Sequence, residues 1–471
     1  MSALTPTPTL LTPHLPPKTL VGIDLITFTS TPNFHGIRDL PPGWHFLYTG
    51  TTEGLSLRVG GWFYIDASGT GNAQDILVWR WNDNIEALEP LGAQHAGEGM
   101  RLRANIGGVW GLGGLWAYRS RVPAAAVAAA EGALQKSGPG ASRAGAGSID
   151  EEEEEEGRAE WKALTNRVSP RLLSRITGDP GVDWEGRPRW VVTSGSTARQ
   201  DDDDIPGLDS GVRPEGGVGS DTAAAAATGG QSQERPEDYS ERQFSFLPVD
   251  LKMTWREGAI GRERTEAARD KSWALGEIIH GFESSQPRPN PLATNDIAEG
   301  EAQILGELQF TFLMGLTLMN YSCLQQWKRL LRLILTCRSA IVDRASFIAE
   351  VLSLLLTQLK RADDVEGGLF DQLGSEGGAE GAEFLRKLLR GFRTAMYEVL
   401  EDESGESPVK REFGRLEEWV REEYDWEMDR DAVLRKGMVQ LEDGEEVELE
   451  MVDHDDEEEY APVVVDLDGT Y

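Results

Sequence analysis

Leu305-Gly306-Glu307-Leu308-Gln309-Phe310-Thr311-Phe312-Leu313-Met314-Gly315-Leu316-Thr317-Leu318-Met319-Asn320-Tyr321-Ser322-Cys323-Leu324-Gln325-Gln326-Trp327 is the stretch on which the fold turns. From Leu308 to Trp327 it carries no charge over 20 residues, the length of a bilayer span. Its polar content argues otherwise. Gln309, Thr311, Thr317, Asn320, Ser322, Gln325 and Gln326 interrupt it, whereas a single bilayer helix is mainly apolar. Leu305, Leu308, Phe312, Leu316, Met319, Cys323, Trp327, Leu330 and Ile334 recur at spacings of three and four, which is a helical stripe. The pattern predicts helix, and leaves open whether it is one helix or two joined near Asn320.

Downstream, helix is expected over Phe347–Leu359, Ala382–Leu400 and Phe413–Trp426, with a flexible break at Gly367–Gly381. Upstream the pattern changes to strands. Leu20–Thr29, Trp44–Tyr48, Leu55–Asp66, Asp75–Asn82 and Trp190–Thr193 are short and rich in β-branched and aromatic residues, bounded by turn clusters such as Pro41-Pro42-Gly43. In Ile76-Leu77-Val78-Trp79-Arg80-Trp81, Leu77, Trp79 and Trp81 share one face by the period-two rule. Phe244–Val249 reads as a returning edge strand. Trp161–Ile176 reads as an amphipathic helix with Trp161, Leu164, Val168, Leu172 and Ile176 on one side, and Arg262–Phe282 as helix.

Two stretches have too few large apolar side chains to build a core. One is alanine- and glycine-rich and ends in Asp150 and six glutamates, Glu151 to Glu156. The other contains Asp201 to Asp204 and an alanine-glycine run. The expected class is α+β. A disordered leader (1–18) precedes a β-rich, sandwich-like N-terminal domain (19–283) with low-complexity inserts at 123–160 and 196–240. A linker (284–298), an all-α C-terminal domain (299–430) and an acidic tail with a strand-prone end (431–471) follow.

The 471 residues carry a formal charge of −34, with 80 acidic against 46 basic side chains. Gripping phosphates needs a basic surface, so direct nucleic-acid binding is not expected, and the balance favours a basic partner. Two cysteines, Cys323 and Cys337, exclude a disulfide framework and suggest a reducing compartment. Met1–Lys18 lacks the apolar core of a signal peptide. A monomer is expected.

Motifs that carry chemistry are missing. The six histidines (His14, His35, His45, His95, His280, His454) have no zinc-ligand spacing and read as structural or surface residues. Gly107-Gly108, Gly111 and Gly113-Gly114 lack the Gly-Lys-Ser/Thr ending of a phosphate loop and read as a flexible turn. No Gly-x-Ser-x-Gly elbow occurs. The acidic run Asp453–Glu459 lacks the spaced ligands of a calcium loop. No cofactor, metal or catalytic residue is expected, and a hydrolase in the N-terminal domain is the less favoured alternative. Trp327, with Lys328, Arg329 and Arg332 beside it, is either core or a docking point of the helical domain. The tail holds the other candidate. Between Glu442 and Asp468 there are 14 acidic residues and no Lys or Arg, and inside the run lies Ala461-Pro462-Val463-Val464-Val465-Asp466-Leu467, a strand-prone segment. It either returns to the N-terminal sheet as an edge strand or adds itself to a sheet of another protein.

Gly22-Ile23-Asp24, Phe34-His35-Gly36-Ile37, Pro41-Pro42-Gly43-Trp44-His45-Phe46-Leu47, Trp161-Lys162-Ala163-Leu164-Thr165-Asn166, Leu305-Gly306-Glu307-Leu308-Gln309-Phe310, Trp327-Lys328-Arg329-Leu330-Leu331 and Ala461–Val465 resemble, in this order, the motifs of the AAR-two (AAR2) family of cistron-splicing factors. The resemblance implies a β-rich N-terminal domain and a helical C-terminal domain. It implies a non-catalytic chaperone of pre-mRNA splicing that assists assembly of the U5 small nuclear ribonucleoprotein in cytoplasm and nucleus. The implied partner is the large central scaffold protein of that particle, bound at its RNase-H-like and MPN (Jab1-like) domains. The tail residues Pro462, Val463, Val464, Val465, Asp466 and Leu467 would bridge the two by adding a strand. Binding would hold off the spliceosomal RNA helicase until the particle matures, with phosphorylation implicated in release. A general interaction scaffold with several partners is the alternative function.

Overall fold

A computed structural model describes residues 8–50, 57–66, 76–120, 151–198, 201, 243–282, 296–363, 379–401, 407–428, 436–440 and 446–450. The chain forms two compact units. One holds Met1–Pro248, Ile278–Leu331 and Leu354–Gly381; the other holds Val249–Glu277, Arg332–Ser353 and Ala382–Tyr471. The helical region expected as one domain over 299–430 is therefore divided between both.

The first unit is a sandwich with helices on both outer faces. Its strands are β1 (Thr9–Leu11), β2 (Leu20–Ile23), β3 (Ile26–Thr29), β4 (Gly36–Arg38), β5 (Gly43–Gly50), β6 (Val59–Ile65), β7 (Ile76–Asn82), β8 (Ala87–Pro90), β9 (Leu115–Ala117), β10 (Gly181–Val182) and β11 (Pro188–Thr193). One sheet runs β8-β7-β1-β4-β9 and the other β10-β11-β6-β5-β2-β3. The second is antiparallel throughout. The first is mixed, with β1 parallel to β7 and β4 parallel to β9. Leu10, Val21, Ile23, Phe34, Ile37, Leu47, Phe63, Leu77 and Trp79 pack in one apolar cluster, with Trp81 against it. The alternate residues Leu11, Ile76 and Val78 face a second cluster containing Ile106 of helix α1 (Ala96–Gly111). The period-two assignment of Leu77, Trp79 and Trp81 to one face therefore holds, and each buried large apolar side chain contributes roughly 1.5–3 kcal/mol.

The leader expected over 1–18 needs correction. β1 is the central strand of the five-stranded sheet, and Leu10 and Leu11 are both buried, one on each face. Prolines flank the strand without interrupting it, and their carbonyls are used: Leu40 N–H donates to Pro8 O and Trp81 N–H to Pro13 O. The glycine run read as a turn is mostly helix, since Gly107, Gly108 and Gly111 lie in α1.

The outer face of the six-stranded sheet carries α2 (Glu151–Thr165), α3 (Pro170–Thr177) and α6 (Asp296–Leu318). Trp62 of β6 stacks on Trp161 of α2 at 6.2 Å and Phe310 of α6 at 6.4 Å. The helix expected over Trp161–Ile176 is two helices. Ser169 is held extended by the proline that follows it, and its Oγ caps α3 by accepting from Leu172 N–H. All five stripe residues are buried. The insert expected over 123–160 also needs correction, because the glutamate run opens α2. Acidic side chains favour the first turns of a helix. Glu154 is buried there and accepts from both the N–H and the Oγ of Ser120. Residues 196–198 and 201 likewise belong to the fold. β12 (Thr197–Ala198) pairs in parallel with β13 (Gln243–Phe244), a two-stranded sheet of its own and not the edge of a larger one. The rest of both inserts and residues 284–295 of the linker lie outside the described residues.

The decisive stretch is two helices, α6 and α7 (Tyr321–Ile334). Met319 adopts left-handed φ of 57°, which ends α6, and Asn320 Oδ1 accepts from Cys323 N–H to begin α7. Among the described residues, no helix is long and apolar enough to cross a membrane.

The second unit contains α4 (Arg262–Arg269), most of α5 (Ser272–Gly281), the end of α7, α8 (Ala340–Asp343), the start of α9 (Ala345–Asp363), α10 (Ala379–Val399) and α11 (Pro408–Tyr424). Leu385, Leu389, Phe392, Met396 and Leu400 repeat at helical spacing, as do Val409, Phe413, Leu416 and Val420, and all are buried. Phe392 and Phe413 meet at 5.5 Å. α11 starts with proline at its first turn, where the missing N–H is harmless, and ends at left-handed Asp425 with Trp426 N–H donating to Val420 O. A hairpin of β14 (Lys436–Gln440) and β15 (Glu446–Glu450) follows.

Candidate functional site

The most catalytic-looking constellation among the described residues is Asp24, His45 and Tyr118. Asp24 occupies the turn between β2 and β3 with φ of 56°. Its Oδ2 accepts from His45 Nδ1 at 2.8 Å and from Tyr118 Oη at 2.5 Å, and its Oδ1 accepts from Phe46 N–H at 2.9 Å. His45 Nε2 lies 2.8 Å from Pro41 O. A carboxylate on one ring nitrogen and a carbonyl on the other require both to donate, so His45 is an imidazolium. Burial, the largest single influence, disfavours its charge, but the Asp24 carboxylate and the Pro41 carbonyl together outweigh it and raise the pKa above 6.5. Neither ring nitrogen keeps a lone pair, and His45 is 1% exposed. This is a buried ion pair that ties the β2–β3 turn to β5, not a general base.

The polar residues of the α6–α7 stretch have a shared task. Gln309 Nε2 donates to Ala163 O and Asn166 Oδ1, and its Oε1 accepts from Arg167 N–H. Asn320 Nδ2 reaches Thr193 O, Ser194 O and Ser196 O. Ser322 Oγ accepts from Ala198 N–H. Glu307, fully buried, accepts from Leu247 N–H, Gln326 Nε2 and Arg175 Nη1. Buried backbone groups need partners. These helices supply them to the loops around the six-stranded sheet, which is why an uncharged stretch is so rich in amides and hydroxyls.

Of the basic cluster expected beside this stretch, Trp327 is fully buried and donates to Gln358 Oε1 at 3.0 Å. Arg329 pairs with buried Asp201. Arg332, in the second unit, lies over the Phe384 ring at 5.2 Å. Lys328 is half-buried. Asp201 and Glu154 were unreadable from sequence, since each sits among identical acids and only its partner distinguishes it. Both thiols are buried and held in the protonated form. Burial pushes Cys323 and Cys337 well up, and nearby carboxylates, Glu307 and Asp201 for the first and Asp270 for the second, add to it. No group of three or more metal-ligating side chains occurs among the described residues. Pro462, Val463, Val464, Val465, Asp466 and Leu467 lie outside them.

The model of the AAR2 N-terminal domain matches residues 6–178, and that of the AAR2 C-terminal repeat region matches residues 246–429. The chain belongs to the AAR2 family. It is 24% identical over 357 residues to protein AAR2 homolog of Mus musculus, covering 74% of this chain and 73% of the mouse protein. It is 23% identical to the Homo sapiens homolog over the same shares. A shorter match, 32% over 125 residues, is to the Oryctolagus cuniculus homolog.

Several residues that carry the AAR2 resemblance now have physical reasons. A Cβ on Gly22 would lie 2.0 Å from the Tyr48 ring, and one on Gly306 would lie 2.8 Å from Arg167 O. Asp24, Pro41 and His45 build the buried ion pair, and Glu307 and Gln309 anchor the loops. These AAR2 motif residues form the frame.

Proposed function

We propose that this protein is a non-catalytic assembly factor of pre-mRNA splicing that binds the central scaffold protein of the U5 particle. AAR2 membership, matched on both sides of residues 179–245, carries the reading and supports a general role in splicing and U5 assembly. The finer reading is that the chain engages the RNase-H-like and MPN-like domains of the scaffold, with Pro462–Leu467 adding a strand, and thereby holds off the spliceosomal helicase. It is supported by the strand-prone composition of that segment and by the charge of −34, which steers the chain toward basic surfaces. The closed state of the Asp24–His45–Tyr118 constellation fits a protein that works by occupancy.

The test is competition. Full-length chain is titrated into a complex of the scaffold's C-terminal domains with the helicase, followed by size-exclusion chromatography. Displacement of the helicase at stoichiometric chain supports the proposal. A stable ternary complex at all ratios refutes the exclusion step.

A further inference from the structure

Three large apolar side chains meet solvent around the turn between α6 and α7. Leu57 is 53% exposed, Met319 51% and Tyr321 42%. All lie in the first unit, and the contacts of the turn gather them. Asn320, between Met319 and Tyr321, donates to Ser194 O and Ser196 O. A Cβ on Gly195, between those two serines, would lie 3.3 Å from Leu57 Cδ1. Arg58 Nη1, next to Leu57, donates to Thr317 O. Met319 is the strained member. Its φ of 57° is one that glycine or asparagine adopts more readily at a helix end. A large apolar side chain is nonetheless kept there and half exposed, and backbone strain of this kind collects at sites with a task.

We propose that this patch is a docking surface for residues 202–212, the root of the second insert. Position, charge and pattern select the occupant. The insert leaves beside the patch. Ala198 N–H donates to Ser322 Oγ, next to Tyr321, and buried Asp201 pairs with Arg329. Tyr321 and Arg329 stand about 12 Å apart along α7. Ile205 follows Asp201 by four residues, a reach of about 14 Å. Residues 57–65, 193–198 and 317–329, which build the patch, contain three basic side chains and no acidic one. Of these, Arg58 has no carboxylate partner among the described residues. Residues 202–212 contain four acidic side chains and no basic one. Ile205-Pro206-Gly207-Leu208 places proline and glycine at the central positions that a type II turn prefers, which would set Ile205 and Leu208 side by side against the patch. Tethering raises the local concentration of the segment to roughly millimolar, so a weak contact suffices. The contact would cover apolar side chains that otherwise invite association. It is made within one chain and stands apart from the splicing reading.

Disulfide trapping in the full-length protein tests it. The native thiols do not compete, because Cys323 and Cys337 are buried. Ile205→Cys is combined with Leu57→Cys and, for comparison, with Tyr64→Cys at the far end of β6. Under mild oxidation the crosslink from position 205 to 57 is expected to form at least tenfold faster than that to 64. Leu208→Asp should slow it, and so should high salt. Met319→Gly should slow it too, and that change suits the left-handed backbone, so the fold is kept. Equal rates at the two positions overturn the proposal. So does a fast crosslink that neither Leu208→Asp nor Met319→Gly slows, which reflects proximity alone. Crosslinks formed between chains also overturn it and assign the patch to a second copy.

Discussion

Asp24 and His45 meet where the turn of one hairpin touches the next strand, and the pair is charged on both sides. Its stability contribution depends on pH with a definite sign. The folded pKa of His45 lies above the unfolded value of 6.5. The proton is therefore held more tightly in the native state, and the stabilisation is complete below pH 6.5 and lost as pH rises through the folded pKa. Five other histidines share that window, so the part of the slope that belongs to His45 is the part its substitution removes. Thermal unfolding between pH 6 and 9 should show stability falling, and His45→Ala should remove that part of the slope. The substitution should cost about 3–5 kcal/mol at pH 6, because Asp24 is left buried without its cation. A variant with an unchanged slope would show that His45 is neutral in the fold. The sequence disclosed the residue only as a histidine without zinc spacing. Its charge comes from Pro41 O and Asp24 Oδ2, which only the folded chain places 2.8 Å from its two nitrogens.

At the scale of elements, local alternation and helical periodicity were legible and distant pairing was not. Ile76–Trp81 reads as a strand because the signal lies within six residues. β1 does not, because three residues among prolines become a strand only by pairing with Arg38–Gly36 on one side and Ile76–Val78 on the other. The sequence left open whether α6 and α7 are one helix or two joined near Asn320; the fold divides them at left-handed Met319, and Asn320 Nδ2 donates to the distant carbonyls of Thr193, Ser194 and Ser196. Composition hid Glu154 most completely. It closes the base of the first insert by gripping Ser120, whose carbonyl also accepts from Arg361 Nη2. The insert itself should be dispensable. Replacing residues 122–149 with a short Gly/Ser linker should change the melting temperature by no more than a few degrees, since loop length enters stability only logarithmically. Glu154→Ala, a single change in a run of six glutamates, should cost about 1–3 kcal/mol by leaving the Ser120 N–H buried and unpaired. Equal losses for Glu153→Ala and Glu154→Ala would refute this division of roles.

For the whole molecule, the α+β class and the order of sheets before helices were legible from the sequence. The division into units was not. Ile278–Leu331, mostly helical in its described residues, belongs with the sheets because its amides satisfy their loops, a relation that periodicity does not encode. The candidate site was legible only as composition, a strand-prone run in an acidic tail, and its role rests on AAR2 membership. Titration calorimetry of the full-length chain against the scaffold's joined RNase-H-like and MPN-like domains, at low and high salt, tests that role most directly. The account predicts tight binding that weakens with salt and falls at least tenfold for Val464→Asp. Equal affinity of parent and Val464→Asp at both salt concentrations would contradict it.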